Sequence, residues 1–384
     1  MRRLIKIKKD LNIIYNSTIS EFLDPDYVYI PIKDNYKLLI KQGETVYKNQ
    51  IIMENKLNKV VCPVSGNVYG ITKKMVEGTT LKVLVIQNNF KEQEKSLSRN
   101  KQVKNDPDSI ISRLYDFYFK YIASILENKK INNLVISSIE DEPYIINNSY
   151  ILKKYSKEIL DIVDMLSSAF NISHNYIAIK SNDTSCIDTY LSKIGMYPNI
   201  TLSLVDDKYL LGTHFFLLEY MHLKDNDTLV IDAKTILQMY YALKYSKFMH
   251  ETFITIAGPS VLRSMVIKVK DGSLLKDVIN KKIKIKNKDS IFILNGLMTG
   301  YECKTEDVVI TKNTKGLIVI PREEEKEKEC NNCGLCLKVC PVKVNPKKVM
   351  DQKTVSPNCL DCGLCSYICP CHINLRKFLR GEHE

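Results

Sequence analysis

The sequence predicts an α/β chain of several domains, and three observations carry that reading. Between Asp26 and Phe90, apolar and polar residues alternate with the period of two that a half-buried strand imposes. From Ser109 onward, stretches with helical spacing take turns with short apolar runs, as in a layered domain on a mainly parallel sheet. Near the C-terminal end a four-cysteine run occurs twice, and each copy is closed by a proline. A chain of 384 residues that is 45% apolar can bury the cores of two or three such domains.

Residues 1–90 open with a basic segment, Met1 to Lys9, and continue into the alternating region. Gly43 and Gly66 stand where hairpins need permissive backbone angles. This part resembles a barrel-sandwich hybrid, the small β sandwich of biotinyl and lipoyl carrier domains. It has no lysine at a hairpin tip in a Met-Lys or Asp-Lys context, so a structural or docking role is expected rather than a swinging arm. Cys62 reads as a small buried apolar residue in preference to a ligand.

Lys91 to Asp108 is polar, rich in lysine and without periodicity, which reads as a linker. The α/β part spans 109–250. Its expected elements are a helix over Ser109–Lys129, a buried strand over Asn133–Ile139 ending in Glu140-Asp-Glu-Pro-Tyr144, and a helix over Tyr150–Phe170. A strand over Asn175–Lys180, a helix over Thr184–Ile194 and a strand over Ile200–Val205 follow. Residues 251–320 are β-rich and return to this domain, and 321–384 hold the cysteine runs.

Those runs read Cys330-x2-Cys333-x2-Cys336-x3-Cys340-Pro341 and Cys359-x2-Cys362-x2-Cys365-x3-Cys369-Pro370. This is the spacing of bacterial two-cluster ferredoxins, in which the fourth cysteine of each run ligates the other cluster. Cys330, Cys333, Cys336 and Cys369 are therefore assigned to one 4Fe-4S cluster, and Cys359, Cys362, Cys365 and Cys340 to a second. Gly334 and Gly363 let the backbone come near the sulfides, and the prolines shape the exit from the turn. A zinc ribbon would leave thiolates over, and a disulfide framework belongs to secreted chains. Cys186 and Cys303 read as core residues. Cys371, beside His372, reads either as a reactive thiol or as a buried bystander. The six histidines form no HxH or HExxH pattern, and His214 and His222 could share a helix face without making a site.

The net charge of +12 comes from 48 lysines but only 8 arginines, spread along the chain, and there is no tryptophan. That composition argues against a nucleic-acid partner. Met1–Lys9 and Lys268–Lys288 are candidates for a basic surface facing lipid head groups or an acidic partner, or else are solvated strand faces. No run of eighteen apolar residues occurs, so any membrane association is expected to be peripheral. Twelve cysteines without a signal peptide point to a reducing, cytoplasmic compartment.

The order of parts resembles the RnfC-like family, from about Tyr27 to Arg380. The words that carry the resemblance are the cysteine runs, Pro63-Val-Ser-Gly66, Glu142-Pro-Tyr144, Asn295-Gly-Leu-Met-Thr-Gly300 and Thr311-Lys-Asn-Thr-Lys-Gly-Leu317. The resemblance implies a central domain like the flavoprotein subunit of respiratory complex I, a β-grasp-like insert at about Glu251–Lys288, and a C-terminal α-helical, ferredoxin-like domain with two clusters. It also implies that Glu140 and Glu142 border a flavin and nicotinamide pocket.

The pocket itself is altered in three places. The family's phosphate loop has the form GxGGxGFP, and glycine is needed there so that backbone N–H groups reach the phosphate oxygens. Here no glycine occurs from Thr79 through Ile194. Ser137-Ser-Ile139 replaces the family's Asn-Gly-Ala, and Tyr197-Pro-Asn-Ile200 lacks the expected glycine. The reading that follows is a degenerate site, without FMN or NADH, in which Glu140 and Glu142 keep a structural role such as capping the next helix.

The expected function is electron transfer through two 4Fe-4S clusters between a redox donor and a partner reductase or membrane-associated complex. The protein is read as a subunit of an oxidoreductase system and not as a stand-alone NADH dehydrogenase. The alternatives are an NADH-oxidising, flavin-dependent subunit of an Rnf-type complex and an electron-transfer protein for proline reductase. An assembly scaffold with structural clusters is the reading outside redox chemistry.

Overall fold

A computed structural model describes residues 20–56, 58–95, 103–287, 289–322 and 327–381. The basic opening Met1–Lys9 lies outside the described residues. The first strand, β1 (Ser20–Phe22), does not join the alternating region that follows it. That region folds as β2 (Tyr27–Pro31), β3 (Lys37–Leu38), β4 (Thr45–Val46), β5 (Ile51–Glu54), β6 (Lys59–Val61), β7 (Gly66–Val76) and β8 (Thr79–Asn88). A four-stranded sheet, β2-β8-β7-β4, and a three-stranded one, β3-β5-β6, share a core of Val28, Val46, Ile52, Met53 and Leu84. Gly43 has a positive φ of 84° and suits its turn. Gly66 has a different reason from the hairpin expected of it: it begins β7, where a Cβ would stand 1.9 Å from the Gln87 carbonyl oxygen of β8. Cys62 is fully buried, and its sulfhydryl donates to the Val64 carbonyl at 3.0 Å.

The segment expected to be one helix over Ser109–Lys129 is two. α1 (Pro107–Asp116) starts inside the predicted linker, because Asp106 caps it by accepting from Ser109 N at 2.9 Å and Pro107 sits in the first turn. Tyr118, at φ 67°, ends the run before α2 (Lys120–Asn128) begins. β9 (Asn133–Ser137) is buried along its whole length. The helix expected over Tyr150–Phe170 is likewise divided, into α3 (Asn147–Lys154) and α4 (Ser156–Phe170), with Tyr155 between them. β10 (His174–Lys180), α5 (Thr184–Leu191), β11 (Ile200–Val205), α6 (His214–Met221), β12 (Thr228–Asp232) and α7 (Ala233–Tyr245) complete the domain.

The four strands pair in parallel in the order β11-β10-β9-β12. The order reverses after β11, and in open parallel sheets the crevice beyond the carboxyl ends at such a reversal is where ligands bind. Leu134 and Ile136 of β9 pack with Ile162 of α4 and Ile236 of α7 in the largest core of the molecule. The strands are apolar because helices pack against the sheet.

Residues from Glu251 onward give β13 (Glu251–Ala257), β14 (Met265–Lys270), α8 (Leu275–Lys282), β15 (Ser290–Leu294), β16 (Tyr301–Glu302) and β17 (Gly316–Pro321). They form, with β1, a six-stranded sheet in the order β1-β14-β13-β17-β15-β16, with α8 packed on it through Leu275 and Val278. β1 is its parallel edge strand, a long-range pairing with no local signal in the sequence. Lys270, within the proposed basic surface, is buried and paired with Glu251 at 2.9 Å. The C-terminal segment carries four short helices: α9 (Leu335–Val339), α10 (Pro346–Asp351), α11 (Leu364–Tyr367) and α12 (Leu375–Leu379). Among the described residues no helix is long and apolar enough to cross a membrane.

Candidate functional site

The two cysteine runs fold alike. Gly334 and Gly363 adopt left-handed conformations at φ 71° and 72°, directly before α9 and α11. This conformation costs any other residue steric energy, and it lets three cysteines wrap around one point before the helix starts.

Cys340, the last cysteine of the first run, does not stay with that run. It lines one cavity together with Cys359, Cys362 and Cys365 of the second, closed by Gly363, Leu364 and Arg376. Cys340 and Cys359 are near enough to raise the Cys362 thiol, after the larger effect of burial. Burial pushes the Cys365 thiol up to about 12, with Cys362 adding to it. In the other set, Cys336 is raised first by burial and then by Cys330 and Cys333. Cys369 packs into one apolar cluster with Cys330 and Cys336, and Cys359 and Cys365 lie in that cluster as well. Buried Cys371 belongs to that cluster too, and its carbonyl accepts from Lys328 N at 2.9 Å.

Among the described residues, no three His, Cys, Asp or Glu side chains converge as they would on a single metal ion. A cubane does not require that, because each of its four cysteines binds a different iron. An all-thiol set of four around one cavity fits such a cluster. Backbone N–H groups also point at sulfur, among them Asp361 N, 3.3 Å from Cys359 Sγ, and Lys347 N, which donates toward Cys336.

The second run is seated on the rest of the protein. A Cβ on Gly363 would lie 1.9 Å from the Met298 carbonyl oxygen, and Leu364 joins Val135, Ala178, Tyr209 and Met298 in one core. Arg376 Nη1 donates to the Thr299 carbonyl at 3.0 Å, while its Nε and Nη2 grip Asp361 at 2.7 and 2.8 Å. Arg380 holds the same carboxylate from its other side.

The loop Asn295–Gly300, too short in sequence to restore a nucleotide site, is thus a bridge. On its far side it holds Glu142, which accepts from Met298 N at 2.9 Å, Thr299 N at 2.7 Å and the Thr299 hydroxyl. Burial raises Glu142, and these donors oppose the rise. Glu140 accepts from Asn148 N, in the first turn of α3, at 2.5 Å, so it caps the following helix as the sequence suggested. Burial pushes it up to about 7 against the pull of Lys180 and that N–H. Lys315 pairs with the intervening Asp141 at 3.0 Å.

Both carboxylates are thus engaged with backbone N–H groups beside the parallel sheet. The first turn of α3, after β9, already spends an N–H on Glu140, and the Met298 and Thr299 amides of the 295–300 loop are spent on Glu142. Tyr209, Met298 and Leu364 fill the space against β9 and β10.

Cys62, Cys186 and Cys303 are buried away from the cysteine runs, and burial pushes each thiol up to about 12. His214 pairs with Asp225 at 2.5 Å on the surface, and His222 is the left-handed cap that ends α6, so the two build no site.

Two family models match the chain. Residues 115–239 match the Nuo51 FMN-binding domain, and residues 323–370 match a 4Fe-4S dicluster domain. The C component of the Na(+)-translocating ferredoxin:NAD(+) oxidoreductase complex of Acetobacterium woodii is 22% identical over 59% of this chain and 54% of that protein. Its proton-translocating counterpart in Clostridium ljungdahlii is 21% identical over 86% of this chain and 79% of that one. By these matches the chain is similar to RnfC-like proteins. A further relative, the C component of the ion-translocating oxidoreductase complex of Methanosarcina acetivorans, is 30% identical over 33% of this chain and 28% of that one. The chain spans about half the length of the A. woodii relative. The NAD+-reducing [NiFe]-hydrogenase in the air-oxidized state aligns over 72% of this chain and 53% of that one, with TM-score 0.49 and 11% identity. By the two family matches, the parallel-sheet domain is of the Nuo51 FMN-binding type and the C-terminal segment is a 4Fe-4S dicluster domain.

Proposed function

We propose that this protein is an electron-transfer subunit that relays single electrons between a redox donor and other subunits of an Rnf-type complex or a partner reductase. The observation that carries the reading is Cys340 lining one cavity with Cys359, Cys362 and Cys365, because a crossed ligand interlocks two sites at close range. One site takes Cys330, Cys333, Cys336 and Cys369, and the other takes Cys359, Cys362, Cys365 and Cys340. Each bound 4Fe-4S cluster supplies a one-electron couple.

What the chain contributes is tuning. Leu364 and Leu379 line the cavity of the second set and make it apolar, and the Asp361 and Lys347 N–H groups bond toward sulfur. Hydrogen bonds to sulfur and solvent exposure both set cluster potential. In this proposal neither FMN nor NADH binds, because Glu140 and Glu142 already occupy the amides that would hold a phosphate. Assembly with membrane-embedded subunits at the cytoplasmic face belongs to the same proposal and rests on the complexes named for the relatives.

The test is anaerobic reconstitution followed by iron, sulfide and flavin assay. About eight irons without flavin are expected, and stoichiometric FMN would overturn the closed-crevice reading. A second reading, an NADH-oxidising flavin subunit, is favoured by the FMN-binding family model over 115–239. It requires flavin absorbance that bleaches on adding NADH.

A further inference from the structure

A continuous run of hydrogen bonds joins the closed crevice to the second cysteine loop. It starts at the Glu142 carboxylate, which holds the N–H and hydroxyl of Thr299. The Thr299 carbonyl accepts from Arg376 Nη1 at 3.0 Å. Arg376 Nε reaches both the backbone carbonyl of Asp361, at 3.2 Å, and its carboxylate. The Asp361 N–H then lies 3.3 Å from Cys359 Sγ. Asp361 has a positive φ of 53°, as Asn332 has, at 58°, in the matching place of the first run. Arg376 grips Asp361 from the cavity wall and adds a hold on the second loop.

We propose that Arg376 is a positioning residue for the Cys359–Cys362 loop, and that through Thr299 the Glu142 carboxylate biases the potential of the cluster bound there. A planar guanidinium can hold a carboxylate with two donors and a carbonyl with a third, which an ammonium cannot do in fixed geometry. Keeping the Asp361 N–H on sulfur and a positive charge at the cavity wall both favour the reduced cluster. The first run has Lys347 near Cys336 but does not rest on a neighbouring loop in the same way: a Cβ on Gly334 would meet no atom within 4 Å.

The inference rests on the electron-transfer reading, and the experiment separates their failures. Protein-film voltammetry on full-length, reconstituted protein resolves the two one-electron waves, and the wave that persists in Cys369→Ala belongs to the second site. Arg376→Gln is expected to shift that wave to lower potential and leave the other in place. Arg376→Lys should recover only part of the shift, and Glu142→Gln should move the same wave upward by removing a negative charge. If Arg376→Gln loses its second cluster, Arg376→Lys and Glu142→Gln decide. The inference is overturned if loaded variants keep the wild-type wave, or if both waves move equally. Wild-type protein that binds no iron would instead sink the electron-transfer reading itself.

Discussion

Gly363 and Met298 touch backbone to backbone: a Cβ on the glycine would lie 1.9 Å from the Met298 carbonyl oxygen and 2.5 Å from its carbon. Gly334 holds the same position in the other run and nearly the same φ, yet faces open space. The pair is a natural control. Alanine at either site incurs the left-handed penalty of roughly 1 kcal/mol. Gly363→Ala must also push a buried loop away, which should cost at least about 2 kcal/mol more. Urea unfolding of both variants reads the difference, and equal losses would mean that the second run does not rest on Met298.

Glu140 should make stability depend on pH in an unusual direction. Its folded-state value, about 7, lies above the ordinary 4.5, so between these limits the folded chain binds more protons than the unfolded one. Stability from this group is therefore complete below about pH 4.5 and lost as pH rises through about 7. The full difference is worth about 3 kcal/mol. Glu140→Gln keeps an oxygen for Asn148 N and removes the titration. Wild type should lose stability relative to this variant from pH 5 to pH 8 in denaturant titrations. Parallel curves would show that Glu140 is not buried as described.

Cys62, Cys186 and Cys303 should resist alkylation in the native protein. The thiolate is the reacting form, and thiols held near 12 carry little of it at pH 8. Labelling with iodoacetamide followed by peptide mapping should find them modified at least about a thousandfold more slowly than after unfolding. Rapid native labelling of any one would place it at the surface.

Much of this was legible in sequence because the signals were local. β11 and β10 follow from apolar runs of strand length, and the glycines before α9 and α11 follow from the need for a left-handed turn. The cysteine runs carry their chemistry in their spacing. The failures have physical causes as well. The helix expected over Ser109–Lys129 breaks at Tyr118, and apolar periodicity does not register a single left-handed residue. β1 finds its partner β14 some 250 residues away, a pairing set by tertiary packing alone. Asn295–Gly300 stood out as a motif, but its work is to join Glu142 to Gly363 and Arg376, and no spacing rule encodes a three-way contact. Gly66 serves a close approach of β8, not a turn.

The crossing of ligands has a test that single substitutions cannot give. Loss of any one cysteine removes about four irons whichever way the runs are paired. Double variants separate the pairings, because two losses at one site still cost one cluster. With Cys340 belonging to the second site, Cys340→Ala combined with Cys359→Ala should leave about four irons, while Cys340→Ala combined with Cys330→Ala should leave none. If each run instead held its own cluster, the two results would exchange. Iron and sulfide assays of reconstituted protein, with EPR of the reduced samples to count the surviving centres, read the outcome directly. The cavity that Cys340 shares with Cys359, Cys362 and Cys365 predicts the first pattern.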